Sequence, residues 1–103
     1  MKYFLLCAPL ALLSSCTQPA VQSELANEVD SFLASYTETY LGLQAKSAEA
    51  DWSLNTKIVD GDNSNSKAYE EAEGKVAEFT GSVEVIEKAR RYLEGRAGLN
   101  DLQ

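Results

Sequence analysis

Apolar residues fall at Leu25, Val29, Phe32, Tyr36, Leu43, Ala50 and Leu54. Intervals of three, four and seven hold them on one face of an α-helix. Ser23 stands ahead of the run as an N-cap, and Glu24 suits the positive end of the helix dipole. The predicted helix runs about thirty residues, and Gly42 weakens it by about 1 kcal/mol relative to alanine. Trp52 lies off the apolar face and needs a different neighbour. The run Asp60-Gly61-Asp62-Asn63-Ser64-Asn65-Ser66 holds turn formers and no apolar residue, so it predicts a loop.

A second helix follows, with Ser66 as N-cap and Tyr69, Ala72, Val76 and Phe79 on one face. Gly74 weakens it and Gly81-Ser82 break it. Val83, Ile86, Ala89 and Leu93 mark a third helix, closed by Gly95, with Lys88, Arg90 and Arg91 in its last turns. No segment alternates with the period of a strand, and no repeat is present. The pattern predicts an all-α fold of three amphipathic helices, one of them long. At Asn100-Asp101-Leu102-Gln103 an N-cap and the first turn of a fourth helix are expected, against the alternative of a frayed polar tail. The long helix is expected to overhang its two shorter partners, leaving apolar surface for another neighbour.

The first residues read differently. Met1-Lys2 is a short basic start, Tyr3 to Leu13 is apolar apart from Pro9, and Leu13-Ser14-Ser15-Cys16 resembles a bacterial lipobox. An eleven-residue helix reaches only about 16 Å against a hydrocarbon core of roughly 30 Å, which excludes a membrane span. We therefore expect a lipoprotein signal peptide over 1–15, lipidation of Cys16, a polar tether over 16–22 and a helical segment over 23–103. A conventional leader with an unlipidated Cys16 is the alternative. Cys7 leaves with the leader, so the mature chain has one cysteine and no internal disulfide. The expected location is the bacterial cell envelope, lipid-anchored through Cys16.

Composition then limits the chemistry. Of 9 basic and 16 acidic residues, the leader removes only Lys2, so the mature segment is strongly acidic. Nucleic acid and anionic lipid are poor partners for such a surface. Histidine is absent, which excludes His-containing zinc sets, Ser-His-Asp triads and Cys-His pairs. Glu70, Glu71 and Glu73 on the second helix and Glu84 and Glu87 on the third lie mostly off the apolar faces. They read as a solvated surface, whereas acid–base work needs one desolvated member.

Two sharper arrangements compete with bland ones. Asp60, Asp62, Ser64, Ser66 and Glu71 fill the first, third, fifth, seventh and twelfth places of a calcium-binding EF-hand frame. Asn65 stands where that frame has glycine, Lys67 where it has an apolar residue, and no second loop is there to pair with it. Tyr36, Tyr40, Tyr69 and Tyr92 stand at helical spacing, which favours core packing over a ligand-stacking surface.

The block Ala50-x-Trp52-x-x-Asn55-Thr56-x-Ile58, at the end of a long helix, resembles the peptidyl-dipeptidase family of angiotensin-converting enzyme. Ala77-Glu78-Phe79-Thr80-Gly81-Ser82, Arg90-Arg91-Tyr92-Leu93 and Leu99 to Gln103 look like its bacterial members, whereas Val59-Asp60-Gly61-Asp62 departs from the animal enzymes. The resemblance implies a lid of N-terminal helices over the cleft of a large helical zinc peptidase, with Trp52, Asn55, Thr56 and Ile58 as structural motif positions. Zinc is implied for the full-length enzyme and no cofactor for this chain. The implied partners are the remainder of the peptidase domain and, for the whole enzyme, peptide substrates. The zinc-binding H-E-x-x-H motif of the family does not occur here, so no catalytic residue is assigned. The expected function is a non-catalytic lid segment. The alternative is a small lipid-anchored helical interaction module.

Overall fold

The computed structural model describes residues 23–103; the leader at 1–15, Cys16 and the tether at 16–22 lie outside them. The described chain forms α1 (Glu24–Thr56), α2 (Ser64–Thr80), α3 (Val83–Glu94) and a 3-10 turn at Arg96–Gly98. The fold is all-α. Ser23 caps α1 as expected, its Oγ accepting from the Ala26 N–H at 3.1 Å. The helix continues through Gly42 for 33 residues, about 50 Å at 1.5 Å per residue.

The turn after α1 uses Gly61 at φ +77°, where side-chain-bearing residues are strained. Helix α2 then begins at Ser64, not after Ser66. The N-cap position falls on Asn63, which makes no side-chain cap bond, and Asp62 just before it accepts from the Ser64 N–H through Oδ1 at 2.8 Å. The predicted break at Gly81-Ser82 is present. The Gly81 N–H closes α2 onto the Ala77 carbonyl at 2.9 Å, and Ser82 Oγ caps α3 by accepting from Val85 N at 3.2 Å.

Helices α2 and α3 together run back along α1, so the molecule is an antiparallel hairpin with a broken return arm. Its contacts are arranged about the Gly61 turn. Near the turn, Asn65 Nδ2 donates to the Lys57 carbonyl at 2.8 Å. Further along, Ser47 Oγ donates to Glu73 Oε1, and at the far end Gly95 lies against Leu25. On α1 the covered seam runs through Ala26, Val29, Leu33, Tyr36, Tyr40, Leu43, Ser47, Ala50 and Leu54, with Gln44 and Ser53 half-buried beside it. The seam positions alternate by three and four, the spacing of a coiled-coil seam. The seam shares Val29, Tyr36, Leu43, Ala50 and Leu54 with the expected face, and Leu25 and Phe32 sit half-buried at its edge.

Two seams facing each other enclose little. Only Ala26, Val29, Ser47 and Tyr92 are buried among the described residues. Aromatic rings fill the seam around the break in the return arm: Phe32 meets Tyr92 at 5.3 Å, Tyr36 meets Phe79 at 5.0 Å, and Phe32 meets Tyr36 at 5.9 Å between centroids. Tyr36, Tyr40, Tyr69 and Tyr92 are all buried or half-buried, in keeping with core packing.

Two expectations are corrected. The face α3 turns inward is Val85, Ala89 and Tyr92; of the expected face Ala89 is kept, whereas Val83 (69% exposed) and Leu93 (60%) point to solvent and Ile86 lies at the edge, 37% exposed. The Phe32–Tyr92 ring contact and the Arg91–Glu28 ion pair at 3.7 Å hold α3 in this rotation. The overhang is also absent. The return arm reaches the first turn of α1, because 17 and 12 residues of α2 and α3 span about 43 Å before the connecting and terminal turns are added.

The segment from Asn100 has the bonds of a capping box. Asn100 Oδ1 accepts from Leu102 N at 2.9 Å, and Gln103 Oε1 accepts from Asn100 N at 3.3 Å. Residues 101 and 102 form a turn. The Gln103 amide also donates to the Ala26 carbonyl at 3.1 Å and to Asp30 Oδ1, tying this end to the start of α1.

Candidate functional site

The tryptophan block occupies the last turns of α1 and the first residues of the turn. Asn55 Nδ2 donates to the Asp51 carbonyl at 2.8 Å and to its Oδ1 at 3.0 Å, while Thr56 Oγ1 donates to the Trp52 carbonyl at 2.6 Å. Both side chains are spent on the helix's own end. They terminate α1 and are not aimed at a ligand. Trp52 is 68% exposed and Ile58 82% exposed, with Val59 beside it at 61%. The block therefore places two large apolar side chains in solvent at the hairpin tip, and Val59 just after it adds a third.

The acidic residues expected to be solvated are exposed. Glu71 pairs with Lys75 at 2.7 Å and Glu84 with Lys88 at 2.8 Å, each one helical turn apart. The hydrogen bond from Lys75, then its charge, holds the Glu71 carboxyl below its ordinary value, and Lys88 does the same to Glu84. Their partners shift upward in turn, Lys75 by its bond to Glu71 and Lys88 by its bond to Glu84. Asp62 is lowered by the backbone N–H and then the side chain of Ser64. These are surface pairs of the kind that stabilise helices slightly, with no desolvated acid among them.

The EF-hand frame is not assembled. Its fifth and seventh positions, Ser64 and Ser66, already belong to α2, and its twelfth, Glu71, is engaged with Lys75. Asp62 is committed to starting the helix. Oxygens from the twelve positions cannot converge on one ion from a helical backbone. Among the described residues no group of three His, Cys, Asp or Glu side chains is placed to hold a metal ion. With histidine absent from the chain as well, these residues do not fit the zinc implied by the family resemblance. Among the described residues no helix is long and apolar enough to cross a membrane.

Two grooves flank the seam. One, of about 370 Å³, opens where Ala50 and Ser53 of α1 face Ala68 and Ala72 of α2, small residues that leave the helices incompletely filled between them. The other, of about 240 Å³, lies at the break in the return arm, between Phe32, Tyr36 and Thr39 on one side and Phe79, Ser82 and Val85 on the other. Both are shallow, and of the polar side chains along them Ser82 Oγ accepts from Val85 N, Glu71 pairs with Lys75 and Glu84 with Lys88. What the two grooves offer is open surface lined by both arms of the hairpin. No family model, curated protein or solved structure matches this chain.

Proposed function

We propose that this chain is the exported, lipid-anchored N-terminal lid segment of a zinc peptidase of the peptidyl-dipeptidase type, contributing helices and no catalytic group of its own. The observation that carries the reading is the Ala50–Ile58 block. Its sequence resembles that family, and its tryptophan stands 68% exposed on the side of α1 that α2 leaves open. A tryptophan in that position suits a helix laid against a neighbour outside the hairpin. Cys16 would hold the segment to the membrane through its lipid, and zinc and peptide substrate would belong to the rest of the enzyme.

The coding sequence downstream of Gln103 tests this directly. An in-frame H-E-x-x-H is expected there; a stop codon with no remnant of the motif beyond it would sink the lid. The second reading, a small lipid-anchored interaction module, is favoured by one observation. The hairpin closes on itself at its open end, where Gln103 bonds to the Ala26 carbonyl. Cooperative, reversible melting of the 103-residue chain on its own, without binding of apolar dyes beforehand, supports the module over the lid.

A further inference from the structure

Helix α1 carries a second apolar stripe. Leu41, Ala45, Ala48 and Trp52 follow one another at intervals of four, three and four, within about 60° of arc at 100° per residue. The stripe sits roughly 130° around the helix from the seam. All four residues are exposed, Leu41 at 60% and Trp52 at 68%. A 3-4 repeat in solvent is the pattern by which one helix receives another. The two alanines allow close approach, and Leu41 and Trp52 stand at the ends as anchors.

Charge decides what kind of helix fits. Glu38 lies one turn from Leu41, Glu49 one turn from both Ala45 and Trp52, and Asp51 one turn from Ala48 on the opposite flank. Lys46, the only basic residue within α1, lies on the other side of the helix, lining the groove with α2. The stripe is thus apolar with an acidic border on both flanks. A second copy of this chain would set these carboxylates against their own counterparts, which is unfavourable. We propose that the Leu41–Trp52 stripe docks an amphipathic helix of a partner domain whose apolar face is bordered by lysine or arginine. The inference stands on the stripe and its charges, and goes beyond the peptidase reading without needing it.

Trp52 is the single tryptophan of the chain, so its emission reports on the stripe alone. The 103-residue chain is titrated with a tryptophan-free synthetic Leu/Lys amphipathic helix, and separately with a Leu/Glu helix of the same apolar face. The Leu/Lys peptide is expected to shift Trp52 emission to shorter wavelength, saturably at one peptide per chain and more weakly at high salt. Ala45→Glu is expected to weaken binding about tenfold or more, since it puts a charge in the middle of the contact. Glu38→Gln with Glu49→Gln is expected to weaken it as well, with helix content unchanged by circular dichroism. Leu93→Glu, on the exposed face of α3, is expected to leave it unaltered. Equal binding of the Leu/Glu peptide, or loss of affinity with Leu93→Glu equal to that with Ala45→Glu, overturns the proposal. So does sedimentation showing a dimer of the chain that shields Trp52.

Discussion

Glycine at three positions illustrates how differently one residue type can act in a single small fold. Gly42 and Gly74 lie inside helices, and a Cβ at either would meet nothing within 4 Å. There the missing side chain only adds backbone entropy to the unfolded chain. Alanine at each is expected to stabilise by about 0.5–1 kcal/mol, raising the melting temperature by several degrees in a domain of this size. Gly95 ends α3 at φ −89°, a conformation open to any residue, so it is not there to reach the left-handed region. Its reason is space: a Cβ would stand 2.5 Å from Leu25 Cδ2. Gly95→Val is therefore expected to destabilise, while Gly95→Ala stays close to wild type because the leucine tip can turn aside; thermal melts of the two separate the cases. Gly95 was legible as a helix end, but its contact with Leu25, seventy residues away in the chain, has no local signal.

Among the elements, α1 was the most legible and α3 the least, and the difference is physical. A long helix samples its period many times, so an off-seam residue such as Leu25 barely moves the apparent face. Over 12 residues, α3 offers two stripes of similar apolar content that share Ala89: Val83, Ile86, Ala89 and Leu93, or Val85, Ala89 and Tyr92. The side chains of α3 alone do not choose between them. The Phe32 ring and the Glu28 carboxylate on α1 do, and they enter only once the hairpin closes. Tyr92→Ala is accordingly expected to cost about 3 kcal/mol, as removal of a buried ring does. Val83→Ala is expected to stay within about 0.5 kcal/mol, and chemical denaturation of both variants checks the rotation of the helix. The loop before α2 carries the same lesson. Spacing alone suggested an ion cage, but Asp62 starts the helix early and draws Ser64 and Ser66 into it. Millimolar calcium is expected to leave both the calorimetric baseline and the melting temperature unchanged.

For the molecule as a whole, the tryptophan block was legible as a place, and Trp52 as a residue turned away from the apolar face, where it stands exposed. That orientation depends on which side of α1 the return arm covers. Stability against pH is likewise a property of the whole surface. The Glu71, Glu84 and Asp62 carboxyls are lowered by folding, so what they contribute is present above their unfolded values and lost as pH falls through the lower folded ones. Lys75 and Lys88 are raised, so their contribution holds below the ordinary lysine value of 10.5 and is lost as pH climbs through the higher folded one. A melting temperature that is level through neutral pH and declines on the acid side of the ordinary glutamate value of 4.5 is expected. The variant Glu71→Gln with Glu84→Gln is expected to show a shallower acid decline, measured by melts at closely spaced pH values.

The bond between Gln103 and the Ala26 carbonyl joins residues 77 positions apart in the chain, and it has a mechanical consequence. Both open ends of the hairpin lie together, and the turn at Gly61 is farthest from them. A pull applied between Ser23 and Gln103 therefore loads the structure like the two halves of a zip. The Gln103 contacts with Ala26 and Asp30 carry the force first, then the Leu25–Gly95 packing, then the Arg91–Glu28 pair and the Phe32–Tyr92 rings. Each gives way before the next is strained. Along this axis the hairpin therefore yields at the low force of its weakest single step.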